Sequence, residues 1–99
     1  MVKVVWTQRA LDDLKDIGDY ISKDSFKYAK ITLEKLVETA SIIENYPLLG
    51  RFVPEINDKT IREIIKGNYR VIYQIRKETS IFILTVFHSA RSLTTENLK

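Results

Sequence analysis

A handful of residues in this chain could do chemistry, and most are cations. Arg62 stands next to Glu63, Arg70 follows a Gly67-Asn68 turn signal, and Arg91 lies three residues beyond His88. Tyr69 precedes Arg70, and Gly50 precedes Arg51. Arginines at these places can bind a phosphate or an acidic protein partner. His88 is the chain's one histidine, and its ordinary pKa near 6.5 permits proton transfer. Tyr69 could stack on a base. Each residue also has a plainer reading. Arg70 can bridge to Glu63 across a hairpin, worth little if the pair is exposed. Arg62 can be a strand-edge charge. His88 can be a hydrogen-bonded structural residue, and Arg51 a solvated one after a helix stop. A single glycine is no phosphate loop. The acidic run Asp12, Asp13, Asp16 and Asp19 lacks calcium-loop spacing and reads as a solvated helix face.

The composition excludes much. The 99 residues are 44% hydrophobic and 29% charged, ordinary for one folded domain over 1–99. With no cysteine, disulfides, zinc knuckles, iron–sulfur clusters and thiol catalysis are ruled out. One histidine leaves little for a metal site, and neither metal nor cofactor is expected. No apolar run approaches the roughly 18 residues of a membrane span, and the N-terminus lacks signal-peptide character, so the expected location is the cytoplasm. The net charge is +3. Residues 1–50 carry seven Lys/Arg against eight Asp/Glu, and residues 51–99 carry nine against five. The positive charge belongs to the second half, which suits an acidic partner.

The periodicity indicates which elements carry these groups. Val2 to Trp6 reads as a strand, with Trp6 anchoring the corner into a helix. Thr7 is a suitable N-cap for a helix with apolar positions Ala10, Leu14, Ile17 and Ile21, and with Asp12 and Asp13 placed in the first turn. Asp24 or Ser25 caps a second helix, whose stripe is Ala29, Leu33, Leu36, Ala40 and Ile43. Pro47 ends it, and a loop follows through Pro54. Then the period becomes two: strands over 60–65, 69–76 and 81–88, the last apolar on both faces as a central strand would be. The polar tail begins at about Ser89. The fold class predicted is α+β: an N-terminal strand, an antiparallel two-helix hairpin, then a three-stranded antiparallel meander. The helices cover one face of the sheet, with Val71, Tyr73 and Ile75 beneath them, and leave the other partly open.

Several features then fall into one pattern. Val5-Trp6-Thr7 leads into Ala10-Leu11-Asp12-Asp13-Leu14, followed by Ile17, Tyr20 and Ile21. Tyr46-Pro47-x-x-Gly50-Arg51 and Val53-Pro54-Glu55 come next, then Arg62-Glu63, Tyr69-Arg70-Val71-Ile72-Tyr73, and finally His88 and Arg91. In order and spacing this resembles the ParE/RelE toxins of bacterial type II toxin–antitoxin systems, over residues 2 to 91. The resemblance implies a small antiparallel sheet on a helical hairpin. It also implies a growth-inhibiting toxin neutralised by a co-encoded acidic antitoxin that wraps an extended or helical segment over it. Membrane binding and direct DNA binding by the toxin are not expected. ParE-like members inhibit DNA gyrase by protein contact; RelE-like members cut messenger RNA on the ribosome.

Cutting RNA by 2′-OH attack needs a base, cations for the phosphorane charge and an acid for the leaving oxygen. The resemblance to RelE supplies Arg70, but puts Ile61 and Glu63 where two lysines would fall. The tail Ser89-Ala90-Arg91-Ser92-Leu93-Thr94-Thr95-Glu96 contains no tyrosine. Glu55, Arg70 and His88, with Arg91, could imitate a subgroup that uses Glu, Arg and His. The sequence therefore favours a ParE-like gyrase inhibitor that binds partners through Arg51, Arg62, Tyr69, Arg70 and Arg91. A RelE-like endoribonuclease is the alternative, and a non-toxic antitoxin-binding relative is the third reading.

Overall fold

The structure, a computed structural model, describes residues 2–77 and 79–91. The elements run β1 Lys3–Trp6, α1 Gln8–Ser22, α2 Phe26–Asn45, β2 Arg51–Phe52, β3 Ile61–Lys66, β4 Tyr69–Lys77 and β5 Ser80–His88. The expected polar tail lies, past Arg91, outside the described residues.

Both helix starts follow from side-chain caps. The Thr7 hydroxyl accepts from Ala10 N–H at 3.2 Å, and the Ser25 hydroxyl accepts from Tyr28 N–H at 3.1 Å. Each removes an orphan donor at a helix end. The three residues Lys23–Ser25 between the helices make a short connection, which sets them antiparallel. Gly18 permits the close approach: a Cβ there would lie 2.8 Å from Leu33 Cδ1. The first turn of α1, Gln8–Leu11, carries no acid, so Asp12 and Asp13 do not serve the helix dipole as expected. Asp13 instead accepts from the Thr85 hydroxyl at 2.5 Å and from Val86 N–H at 3.0 Å.

The meander of β3, β4 and β5 is as expected, but the sheet has five strands in the order β1-β5-β4-β3-β2. β1 lies parallel beside β5, with Val4 opposite Ile81. The two-residue β2 pairs outside β3, in a stretch whose Pro and Gly signals read as loop. β1 ends at Trp6 while β5 continues to His88. There α1 takes over the exposed edge: Thr7 donates its hydroxyl to Ile83 O at 2.8 Å, and Asp13 receives Val86 N–H. A side chain thus satisfies a backbone donor for which the sheet offers no further strand.

Two cores lie on opposite faces. Ala10, Leu36, Ile43, Val71, Tyr73, Ile81, Ile83 and Val86 fill the helix side, with Trp6 packed against them. Behind the sheet, Val53, Ile61, Ile72 and Leu84 form a second cluster with Ile56, Phe82 and Phe87. The face expected to be partly open is therefore covered in part by the segment from Val53 to β3. Gly67, at φ +60°, begins the two-residue β3–β4 turn, a backbone position that favours glycine.

Candidate functional site

The register across β2, β3 and β4 sets a row of charges on the face turned away from the helices. Arg51 is opposite Glu63, while Arg70 is opposite Ile65 and thus diagonal to Glu63, within reach of a long side chain. Arg70 Nε donates to Glu63 Oε1 at 2.7 Å, and Nη2 lies 2.6 Å from the same oxygen. Its Nη1 and Nη2 donate to the two oxygens of Glu55 at 2.7 and 2.8 Å. Arg51 Nε donates to the other Glu63 oxygen at 2.5 Å. The Arg70 guanidinium also lies over the Phe87 ring, 5.1 Å from its centre. The hydrogen bonds that Arg70 donates, to Glu55 first and then to Glu63, outweigh burial and raise its already high pKa.

Of the two readings weighed for Arg70, the structure shows the bridge to Glu63. The pair is not exposed: the Arg70 side chain is 6% accessible and that of Glu63 0%. A guanidinium neutralised on two sides has little left to offer a phosphate. Glu55, carried over as a possible catalytic carboxylate, instead closes this network from the segment before β3. Arg70 Nη1 also reaches Arg91 O at 3.2 Å, tying down the chain beyond β5.

Arg62 is elsewhere. Alternation along β3 puts it on the helix side with Ile64, opposite Tyr73. Its Nη1 donates to Gly50 O at 2.7 Å and Leu48 O at 3.2 Å, and the guanidinium lies 4.5 Å from the centre of the Phe52 ring.

Tyr69, His88 and Arg91 form a third group. The Tyr69 and His88 rings meet edge to face at 5.7 Å, consistent with their direct pairing across β4 and β5. His88 is exposed, and its Nδ1 accepts from Ala90 N–H at 3.2 Å, which in the neutral ring leaves the proton on Nε2. Burial pushes the Tyr69 phenol up. The three residues line a cleft of about 380 Å³ between α1 and the end of β5, together with Arg9, Asp13 and Tyr20. The predicted residues therefore do not form one basic docking surface. They divide among a neutralised network, a clamp on the turn after α2, and an exposed aromatic cleft. Among the described residues no group of three or more His, Cys, Asp or Glu could hold a metal ion.

Sequence reasoning missed two features that matter here. Tyr73 was read as core, and it is fully buried. Its hydroxyl nevertheless donates to Pro47 O at 2.7 Å and accepts from Gly50 N–H at 2.9 Å. Only the spacing of Tyr46, Pro47 and Gly50 hinted at so fixed a turn. The second is a groove of about 760 Å³ on the outer side of the helical hairpin. Gly18, Phe26, Ala29, Leu33 and Val37 line it, rimmed by Lys15, Lys30, Asp19, Glu34 and Glu38. Phe26 is 80% exposed, a sign that this apolar surface lacks its cover. The signal was present in Phe26 and Val37, apolar residues off the core stripe.

Comparison with known proteins fits this architecture. A model of the ParE toxin of the type II toxin–antitoxin system parDE matches residues 4–93. The RelE2 toxin of Caulobacter vibrioides is 34% identical over 91 residues, covering 92% of this chain and 99% of its own. The fold is similar to that in a chromosomal ParDE toxin–antitoxin system of P. aeruginosa, with a TM-score of 0.73 at 21% identity over 89% of this chain and 96% of that one. It is also similar to that in the RelBE2 toxin–antitoxin complex of Mycobacterium tuberculosis, with a TM-score of 0.62 at 26% identity over 88% and 96%. Among the described residues no helix is long and apolar enough to cross a membrane.

Proposed function

The chain belongs to the ParE toxin family of type II toxin–antitoxin systems, and from that premise we propose that it arrests growth by binding DNA gyrase through protein–protein contact. The observation that carries this reading is the neutralisation of Arg70 by Glu63 and Glu55. Stabilising a phosphorane requires cations aimed at the developing charge. Here the arginine at the expected place is buried against two carboxylates. Ile61 and Glu63, at the positions where the RelE resemblance places lysines, are buried as well. What is left is a binding protein in which Arg70 holds the scaffold.

A co-encoded antitoxin holds the toxin inactive by laying an amphipathic segment along the hairpin groove. Its apolar side covers Phe26, Leu33 and Val37. The rim carries both signs of charge, so apolar burial rather than net charge drives the fit. The test is a supercoiling assay with purified gyrase. Inhibition at micromolar toxin, reversed by the antitoxin, is expected; unaffected supercoiling contradicts the reading.

One observation favours RNA cleavage as a second reading. Tyr69, exposed His88 and Arg91 share the α1–β5 cleft, so a ring for stacking, a proton carrier and a cation lie together. Mapping 5′ ends on translated messages after induction tests it: new ends support cleavage, and unchanged ends during growth arrest exclude it.

A further inference from the structure

The molecule exposes a second apolar surface, built differently from the hairpin groove. Tyr46, Leu48 and Leu49, in the turn between α2 and β2, and Phe52, in β2, are 67%, 68%, 62% and 51% exposed. Neither the groove nor the α1–β5 cleft includes any of them. The turn is fixed from beneath. The buried Tyr73 hydroxyl bridges Pro47 O and Gly50 N–H. Arg62 grips Leu48 O and Gly50 O, and Leu49 N–H donates to Tyr46 O at 3.0 Å. Large apolar side chains carried on a backbone fixed before binding suit a hot spot, because less ordering entropy of the loop remains to be lost.

Charge indicates the kind of partner. Arg51 and Arg70 are balanced by the two carboxylates of Glu63 and Glu55. Arg62, among the described residues, forms no ion pair; its Nη1 is spent on carbonyls, and its buried Nε has no hydrogen-bond partner. A net positive charge thus sits beneath Leu48 and beside Phe52. A nucleic acid strand would leave Leu48 and Leu49 against water. The complement is a protein surface that sets a carboxylate among apolar side chains.

We propose that this turn is the surface through which the toxin grips its protein target, leaving the hairpin groove to the antitoxin. The proposal rests on the reading that the chain acts by protein contact. The experiment compares wild type with a Leu48→Ser/Leu49→Ser variant, both purified with the antitoxin and separated from it. Both positions are exposed, so the fold should be retained; should the double variant fail to fold, the Leu48→Gln and Leu49→Gln single variants replace it. We expect unchanged antitoxin binding and at least about a tenfold rise in the toxin concentration that half-inhibits gyrase. A variant as potent as wild type overturns the proposal, and so does loss of antitoxin binding, which would put the antitoxin on the turn. Growth arrest separates the two readings. If wild type arrests growth but spares gyrase, the gyrase reading fails. Loss of arrest in the variant then keeps the turn as a contact to another protein target, and undiminished arrest overturns it. A wild-type chain that arrests nothing overturns both.

Discussion

The Tyr73 hydroxyl lies where a side chain on residue 50 would have to be. Gly50 N–H donates to it at 2.9 Å, and a Cβ on residue 50 would lie 2.5 Å from that oxygen and 2.8 Å from Glu63 O. Neither neighbour can yield cheaply, since one is a buried hydrogen-bonded phenol and the other is backbone. Gly50→Ala should therefore destabilise the protein by about 1–3 kcal/mol. At Gly18 the clash is with the end of the flexible Leu33 side chain, and alanine gains about 1 kcal/mol of helix propensity. Gly18→Ala should be close to neutral. Denaturant melts of both variants check the contrast.

The same hydroxyl predicts a pH dependence. Burial raises the Tyr73 phenol above its ordinary value, so the folded protein holds this proton more tightly than the unfolded chain does. The resulting stability is complete below about pH 10 and is lost as pH rises through the folded value. Tyr73→Phe should cost about 1–3 kcal/mol at neutral pH. It should also decline less steeply above pH 10, retaining the part due to Tyr69, which shifts the same way. Urea titrations at pH 7 and above pH 10 measure both effects.

Arg70 and Glu63 are each buried against the other. Arg70→Met leaves the buried Glu63 with only the exposed Arg51 and should cost about 3–5 kcal/mol, whereas Glu63→Leu leaves Arg70 its Glu55 partner and should cost less. The double variant should cost clearly less than the sum of the two. A double-mutant cycle by chemical denaturation measures the coupling; simple additivity would show that the pair does not act as a unit.

Asp13 bonds to Thr85 and Val86 where β1 has ended. Asp13→Ala should strand the Val86 N–H and cost about 1–3 kcal/mol. Hydrogen exchange at Val86 should quicken, while Ile81, flanked by β1 and β4, should be affected less.

Periodicity located the helical hairpin and the meander because their apolar stripes repeat along many residues. It could not show β2, where Arg51 and Phe52 pair for only two residues amid turn signals. It also placed Asp13 in solvent, because nothing local reveals that β5 outruns β1. Charge sequence identified Arg51, Arg62, Arg70 and Arg91 as a set, yet strand alternation puts Arg62 and Arg70 on opposite faces. Whether an arginine is free or neutralised depends on carboxylates such as Glu55, fifteen residues from Arg70 in the chain. That distance is bridged by the fold and cannot be read from spacing. The family resemblance conveyed the architecture, and the pairing of Arg70 had to come from geometry.

The proposed mode of action, gripping a protein and not cutting RNA, can be tested in cells. The most direct measurement follows plasmid topology and messenger 5′ ends in the same cells after induction without antitoxin. Altered plasmid supercoiling is expected, with message ends unchanged at the onset of arrest. Message cleavage with supercoiling untouched would contradict it.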